Sequence, residues 1–456
     1  MSNHDRPNIV LIVLDTLRAR NMSLYGYPKR TTPFLEEIAA KSVVFRNAYA
    51  AAPWTLPSHA SIFTGLYPSR HNANKKGHYL KEDILTLAEY LKSKGYSTAS
   101  FSANPWVDDR FRMLRGFDRK YRFWNRMDDH KNKAIPKILR RGFNSLEYRL
   151  RGIVFDKGAV RINRKISEEL KSSEKPFFYF INYMETHAPY LPPRRYKMRF
   201  SRNLTRRVLS RISKITINEY EYVFGGRIFP SSSELEILES LYNDEIAYLD
   251  DRLNELWMTL RNQSLLENTV IFITSDHGDN IGDHQLLNHE LSLYDNLLKV
   301  PLMIFYPSIL DRKMKDERVE NKQIFATVIR EIFGENPTER IKSANTISLI
   351  SDEKPESIYA EEIIVPIKRE KLLKRLNGPI LQNEYMLKNR LKVEISEDYK
   401  YIYSSIGRNE LYNMRAERFA HLHDLVAVGF FCRDSCRCNI NQHHSILILL
   451  FLNSLF

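Results

Sequence analysis

NIVLIVLD, residues 8–15, is the stretch that decides the fold. Six apolar residues, Ile9 to Leu14, run without a break and end on Asp15. A strand with one face in water alternates polar and apolar positions, so an unbroken run marks a strand buried on both faces, as in a parallel sheet covered by helices. The pattern then repeats along the chain. Thr32-Pro33 predicts a helix through Ala40, with proline in the first turn, where its missing N–H costs nothing. Residues 85–94 predict a second helix, ended by Gly95. Further strands are expected at 96–102, 177–183 (FFYFINY), 269–275 (TVIFITS) and 300–306 (VPLMIFY), with a long helix over about 233–262. Strands alternating with helices read as βαβ units, hence an α/β fold whose large, mostly parallel sheet is sandwiched by helices.

Beyond Glu335 the pattern weakens into shorter pieces at 346–350 and 399–403, which predict a small C-terminal α+β domain. The expected division is a catalytic domain over 1–335, a small subdomain over 336–425 and an atypical apolar tail over 426–456. The ILILLFL run in that tail, residues 446–452, is far short of the ~20 residues that span a bilayer, so no transmembrane segment is expected.

Composition excludes several classes. With 43% hydrophobic and 27% charged residues the chain is an ordinary globular one, and its 16 glycines are too few for a glycine-repeat architecture. Three cysteines, Cys432, Cys436 and Cys438, all lie near the C-terminus, which rules out a disulfide-built fold. Their spacing lacks the paired Cys-x-x-Cys of a zinc cluster. The first apolar run is too short for a secretory signal, and the cytoplasm is the expected compartment. Lys and Arg, 69 in all, exceed the 55 Asp and Glu to give a net charge of +14, which calls for an anionic partner. Much of the excess sits in two Arg-rich stretches, 110–151 and 194–214. The second has no glycine and few aromatics, so it reads as a solvated insertion or a rim that attracts small anions, with no nucleic acid as partner. Oligomeric state is left open.

An open α/β sheet binds its ligand outside the carboxyl ends of its strands. Asp15 ends the first strand, and Asp276-His277-Gly278-Asp279 follows the TVIFITS strand. Glu185-Thr186-His187 follows FFYFINY, and Ala103-Asn104 follows the strand at 96–102. Pro57 is expected to open a helix running to about Thr64, whose N-terminus would present free N–H groups and a positive dipole end beside Thr55. Two aspartates and a histidine form an O/O/N set suited to a hard divalent cation, and Thr55 could complete it. A metal-bound hydroxyl loses its proton readily and becomes a nucleophile. His187 and His284 could then donate to the ester oxygens or the leaving group. Taken singly, each residue has a plain role as a turn or helix cap. Their combination on converging strands is what points to chemistry.

These residues also carry a family resemblance. Residues 7–27 (PNIVLIVLDTLRARNMSLYGY), 54–68 (WTLPSHASIFTGLYP), 183–190 (YMETHAPY), 242–250 (YNDEIAYLD) and 274–284 (TSDHGDNIGDH), with Val300-Pro301-Leu302 and Glu410-Leu411-Tyr412-Asn413, resemble the sulfatase family of the alkaline phosphatase superfamily in order and spacing. The resemblance implies an alkaline-phosphatase-like α/β sandwich with a smaller C-terminal domain, and metal-dependent hydrolysis of small anionic sulfate or phosphate esters. It places Asp15, Asp276 and His277 as metal ligands with Thr55, Thr55 as nucleophile, and His187 and His284 at the ester or leaving group.

Two departures bear on the chemistry. Sulfatases proper carry Cys or Ser at the Thr55 position and oxidise it to formylglycine; the Cβ methyl of threonine forbids that aldehyde, so no formylglycine is expected. The motif's Arg is His59 here, and Asn104 stands where a sulfate-binding Lys is usual, which makes both candidate substrate contacts. The segment Asp244-Glu245-Ile246-Ala247-Tyr248 lacks the extra histidine of two-metal relatives, so one divalent ion (Ca, Mn, Mg or Zn) is expected. The alternatives within this frame are a phosphomonoester, phosphodiester or phosphonate hydrolase, a phospho-group transferase, or a catalytically degenerate anion-binding relative.

Overall fold

The computed structural model describes residues 6–74, 78–124, 156–201, 205–308, 310, 312–335, 347–363, 369–376, 378–387 and 389–414. The apolar tail with its three cysteines, and most of the Arg-rich stretch 110–151, lie outside the described residues.

Among the described residues, eight strands form the main sheet: β1 (Asn8–Leu14), β2 (Val43–Tyr49), β3 (Ser97–Ser102), β4 (Arg119–Arg122), β5 (Phe177–Tyr183), β6 (Thr269–Thr274), β9 (Lys299–Phe305) and β10 (Lys313–Glu320). A two-stranded ribbon of β7 (Asn280–Ile281) and β8 (Leu287–Asn288) lies between β6 and β9 in sequence. The order across the main sheet is β10-β2-β9-β6-β1-β5-β3-β4. All strands run parallel to β1 except β9, which is antiparallel to both its neighbours.

The unbroken apolar runs work as their pattern requires. Val10, Ile12 and Leu14 of β1 enter one core together with Tyr179 and Ile181 of β5 and Ile271 and Ile273 of β6. Ile9, Leu11 and Val13 enter the opposite core with Phe178, Phe180, Val270 and Phe272. Each large apolar side chain buried this way contributes about 1.5–3 kcal/mol, so β1 is fixed from both faces. The first core is closed by the helix Ser232–Asn262, which buries Leu238, Leu241, Tyr242, Leu249, Leu253 and Leu256. Ser231 and Glu234 form a capping box at its start. The second core is closed in part by the helix Leu87–Ser93, whose start Thr86 and Glu89 cap in the same way.

A separate antiparallel sheet follows, β11 (Ile358–Glu362), β12 (Leu391–Ile395), β13 (Tyr399–Ser404) and β14 (Glu410–Asn413), in that order. Its apolar side chains share a small core with Tyr49, Leu293 and Leu298 of the main body. The strand expected at 346–350 does not form in its described part: Ser351 N–H closes a turn on the Ser348 carbonyl, and Leu349 tucks into the second core. β2 and β10 lie outside the sequence expectation. β10 (KMKDERVE) is a charged edge strand with only its last two residues buried. No helix among the described residues is long and apolar enough to cross a membrane.

Candidate active site

Four adjacent parallel strands, β6, β1, β5 and β3, deliver their carboxyl ends to one place. Asp15 directly follows β1, and its N–H donates to the Tyr183 carbonyl at 2.9 Å, which extends the β1–β5 ladder by one rung and fixes the carboxylate. Thr186, past the end of β5, donates its hydroxyl to the Asp15 carbonyl. Asp276 Oδ1 accepts from the Thr16 N–H at 3.2 Å and from the His277 N–H at 2.9 Å. Asp15, Asp276 and His277 are fully buried, and one ligand atom from each lies within 4.8 Å of the others.

The free lone pairs point to a cation. His277 Nδ1 lies 2.8 Å from the Gly278 carbonyl, which can only accept, so Nδ1 carries the hydrogen and Nε2 keeps its lone pair. That Nε2 is 3.2 Å from Asp276 Oδ2 and 3.4 Å from Thr55 Oγ1. Asp15 Oδ1 and Asp276 Oδ2 are buried and accept no hydrogen bond from the described residues. Burial, and next the charge of Asp15, pushes the Asp276 carboxyl well above the usual carboxylate range. Two carboxylates in such a place need a proton or a cation between them. Two such oxygens and an imidazole lone pair form a candidate donor set for a divalent metal.

Helix α2 (Thr55–Thr64) is wholly buried and brings in the hydroxyl. It begins at Thr55, two residues before the expected start at Pro57. Extended Trp54 is the N-cap, and Pro57 sits in the first turn, where no N–H is required. Gly65 closes the helix at φ 70°. The Asn104 amide donates to Asp15 Oδ2 at 2.6 Å and to Thr55 Oγ1 at 3.3 Å, so it ties the hydroxyl to the carboxylate pair. Gly278 is required by a close approach: a Cβ there would come within 1.9 Å of the Asn296 carbonyl.

The histidines divide. His59 is fully buried behind the carboxylates, its Nδ1 3.0 Å from the Thr55 carbonyl and 3.3 Å from Asp276 Oδ2. Its ring packs edge-on against Phe63 and Phe180, and burial holds its pKa below the ordinary value. The expected substrate contact by His59 thus gives way to a supporting place inside the core. His187 turns Nδ1 to the Ala188 carbonyl at 2.6 Å, and burial lowers its pKa. His284 does not join the group. It sits in left-handed backbone at φ 52° and stacks on Tyr294 at 3.7 Å, facing Glu410 and Lys400 of the C-terminal sheet.

The missing partner is His289. Its ring lies 4.5 Å from that of His277 and 5.0 Å from that of His187. Its Nδ1 is 3.6 Å from Asp279 Oδ1, and Asp279 in turn accepts from the Tyr190 hydroxyl at 2.6 Å. Burial opposes its charge most strongly, but Asp279, together with the charges of Glu290 and Asp15, raises its pKa above the ordinary value. The one clue in the sequence was Asp279, an acidic residue two positions after His277 that had to find a partner if buried.

Comparisons with known proteins bear on the family and the fold. A sulfatase family model matches residues 7–331. The uncharacterized sulfatase YidJ of Escherichia coli is 24% identical over 455 residues, covering 92% of this chain and 83% of that one. The choline-sulfatase of Rhizobium meliloti is 25% identical over 342 residues, covering 67% of this chain and 63% of that one. Among solved structures, the phosphonate monoester hydrolase of Agrobacterium radiobacter shares the fold with a TM-score of 0.73, at 18% identity over 99% of this chain and 95% of that one. With an alkaline-phosphatase-like sheet and a family match running from β1 through β10, the chain belongs to the sulfatase family of ester hydrolases.

Proposed function

We propose that the protein is a metal-dependent hydrolase of small anionic sulfuric or phosphoric esters, with Thr55 as an unmodified hydroxyl nucleophile. The observation that carries this reading is Thr55 Oγ1 at a helix N-terminus, 3.4 Å from the His277 lone pair and beside two buried carboxylate oxygens with no partner. Asp15, Asp276, His277 and Thr55 would hold one divalent ion. When bound, such an ion lowers the pKa of the hydroxyl and offsets the charge of the ester.

The chain's own groups do the rest. Thr55 Oγ attacks the sulfur or phosphorus in line, the bond to the leaving oxygen breaks, and the threonine ester is then hydrolysed by water. His187, which burial holds neutral, is the group suited to take the hydroxyl proton. His289, which Asp279 favours in its charged form, is the group suited to protonate the leaving oxygen, in the place expected for His284. The N-terminal N–H groups of α2 stabilise the charge that builds on the transferred group. Asn104 orients the hydroxyl.

A threonine hydroxyl and an Asp-His metal pair favour phosphate and phosphonate esters within this class, and likeness in fold to a phosphonate monoester hydrolase supports that preference. Metal analysis together with a panel of 4-nitrophenyl sulfate, phosphate, phosphodiester and phenylphosphonate tests the reading. Turnover is expected to require bound metal and to fall at least about 10³-fold in Thr55→Ala. An intact mass with unmodified threonine is expected as well. Turnover retained in Thr55→Ala would refute the mechanism, and absence of both metal and turnover would mark a degenerate anion-binding relative.

A further inference from the structure

The turn that carries His187 is held by a group remote from the chemistry. Lys157 precedes the helix Ala159–Glu169, and its side chain is 23% exposed. Its ammonium has three hydrogens and three short acceptors: the Glu185 carbonyl at 2.6 Å, the His187 carbonyl at 2.7 Å and Glu245 Oε1 at 2.8 Å. Glu245 is buried on the long helix Ser232–Asn262, and the same Oε1 accepts from the Leu191 N–H at 2.8 Å. Lysine and glutamate together therefore grip the 185–191 turn at three backbone points. On the other side of the turn, Glu185 Oε1 accepts from the Ala159 N–H at 2.9 Å.

We propose that Lys157, clamped to Glu245, is a positioning residue that sets the placement of the His187 imidazole by holding the carbonyls of Glu185 and His187. A half-buried ion pair is a poor device for stability alone, because apolar residues of similar volume do as well. It is a good device for direction, since charge-assisted hydrogen bonds fix their acceptors closely. A displacement of about 1 Å at a reacting group can cost about 10²-fold in rate, so a turn released from Lys157 would slow turnover without disturbing the metal ligands. This inference rests on the hydrolase reading and on a role for His187 in it.

A double-mutant cycle tests it, read as kcat and KM for the best ester of the panel. Lys157→Met is expected to lower kcat about 10- to 100-fold with KM nearly unchanged and metal content intact. In a His187→Ala background the same substitution is expected to cost almost nothing more, because both act through one imidazole. Lys157→Arg, which keeps the charge, is expected to recover part of the loss. Lys157→Gln serves as a milder variant if the methionine variant fails to fold. Additive losses, or a His187→Ala variant as active as wild type, overturn the role of Lys157 while leaving the hydrolase reading in place. A wild-type protein with no turnover at all overturns both.

Discussion

The two halves of the site are built in different ways. Asp15, Asp276, His277 and Thr55 stand at strand ends and at the first residue of a helix, all at most 2% exposed, where the register of β1 with β6 brings the first three together and the buried helix Thr55–Thr64 adds the hydroxyl. His187 and His289 stand on loops, and their placement depends on side-chain grips: Lys157 and Glu245 for one, Asp279 and Tyr190 for the other. The first half is rigid because the core is rigid. The second is adjustable, and its groups can be exchanged without disturbing the sheet.

The contrast is broken most directly at Asp276. Asp276→Asn keeps the shape and the N–H contacts but removes a charge, and metal affinity and turnover are both expected to fall by more than about 10²-fold. Metal occupancy equal to wild type by elemental analysis would refute the ligand assignment. The histidine half gives a smaller effect. His289→Ala is expected to lower kcat/KM about 10²-fold, whereas His284→Ala should leave it within a small factor. The reverse ranking would restore His284 to the site and show that the 282–291 loop rearranges.

The smallest effect concerns stability near the His187 turn. Burial, and next the charge of Asp156, pushes the Glu185 carboxyl up to about 8 from its ordinary 4.5. A carboxyl whose folded pKa is raised stabilises the fold below its unfolded pKa, and that contribution is lost as pH rises through the folded pKa. The wild-type melting temperature should therefore decline between pH 5 and pH 9 by more than that of Glu185→Gln, which cannot ionise. Parallel melting curves for the two proteins would remove Glu185 from the account.

Legibility in the sequence followed the same line. β1, β5 and β6 could be read because both their faces are buried and their apolar runs are unbroken. Asp15, Asp276 and His277 could then be placed, since the end of a buried run is a definite point in an α/β fold. β2 (VVFRNAY) keeps an apolar run for only three residues, and β10 is mostly charged at a sheet edge, so neither has the signature of a buried strand. The reversal of β9 leaves no trace in composition, because an antiparallel strand in the middle of a covered sheet is as apolar as a parallel one. The exchange of His284 for His289 has a similar origin. Five residues apart on one loop, the two are told apart only by what receives them: the face of Tyr294 for one and the buried carboxylate of Asp279 for the other.

The C-terminal sheet shares its small core with Leu293, on the loop that carries His289, and with Leu298, at the end of the short helix Asp295–Leu298 that follows it. During synthesis the main-sheet strands, Thr55, Asp15 and Asp276 all leave the ribosome well before β11 to β14. A nascent chain at that stage has the candidate metal ligands but lacks the backing for the loop that carries His289. On the proposed mechanism, the C-terminal sheet would therefore complete the support of the His289 loop after the candidate metal ligands are already present in the chain.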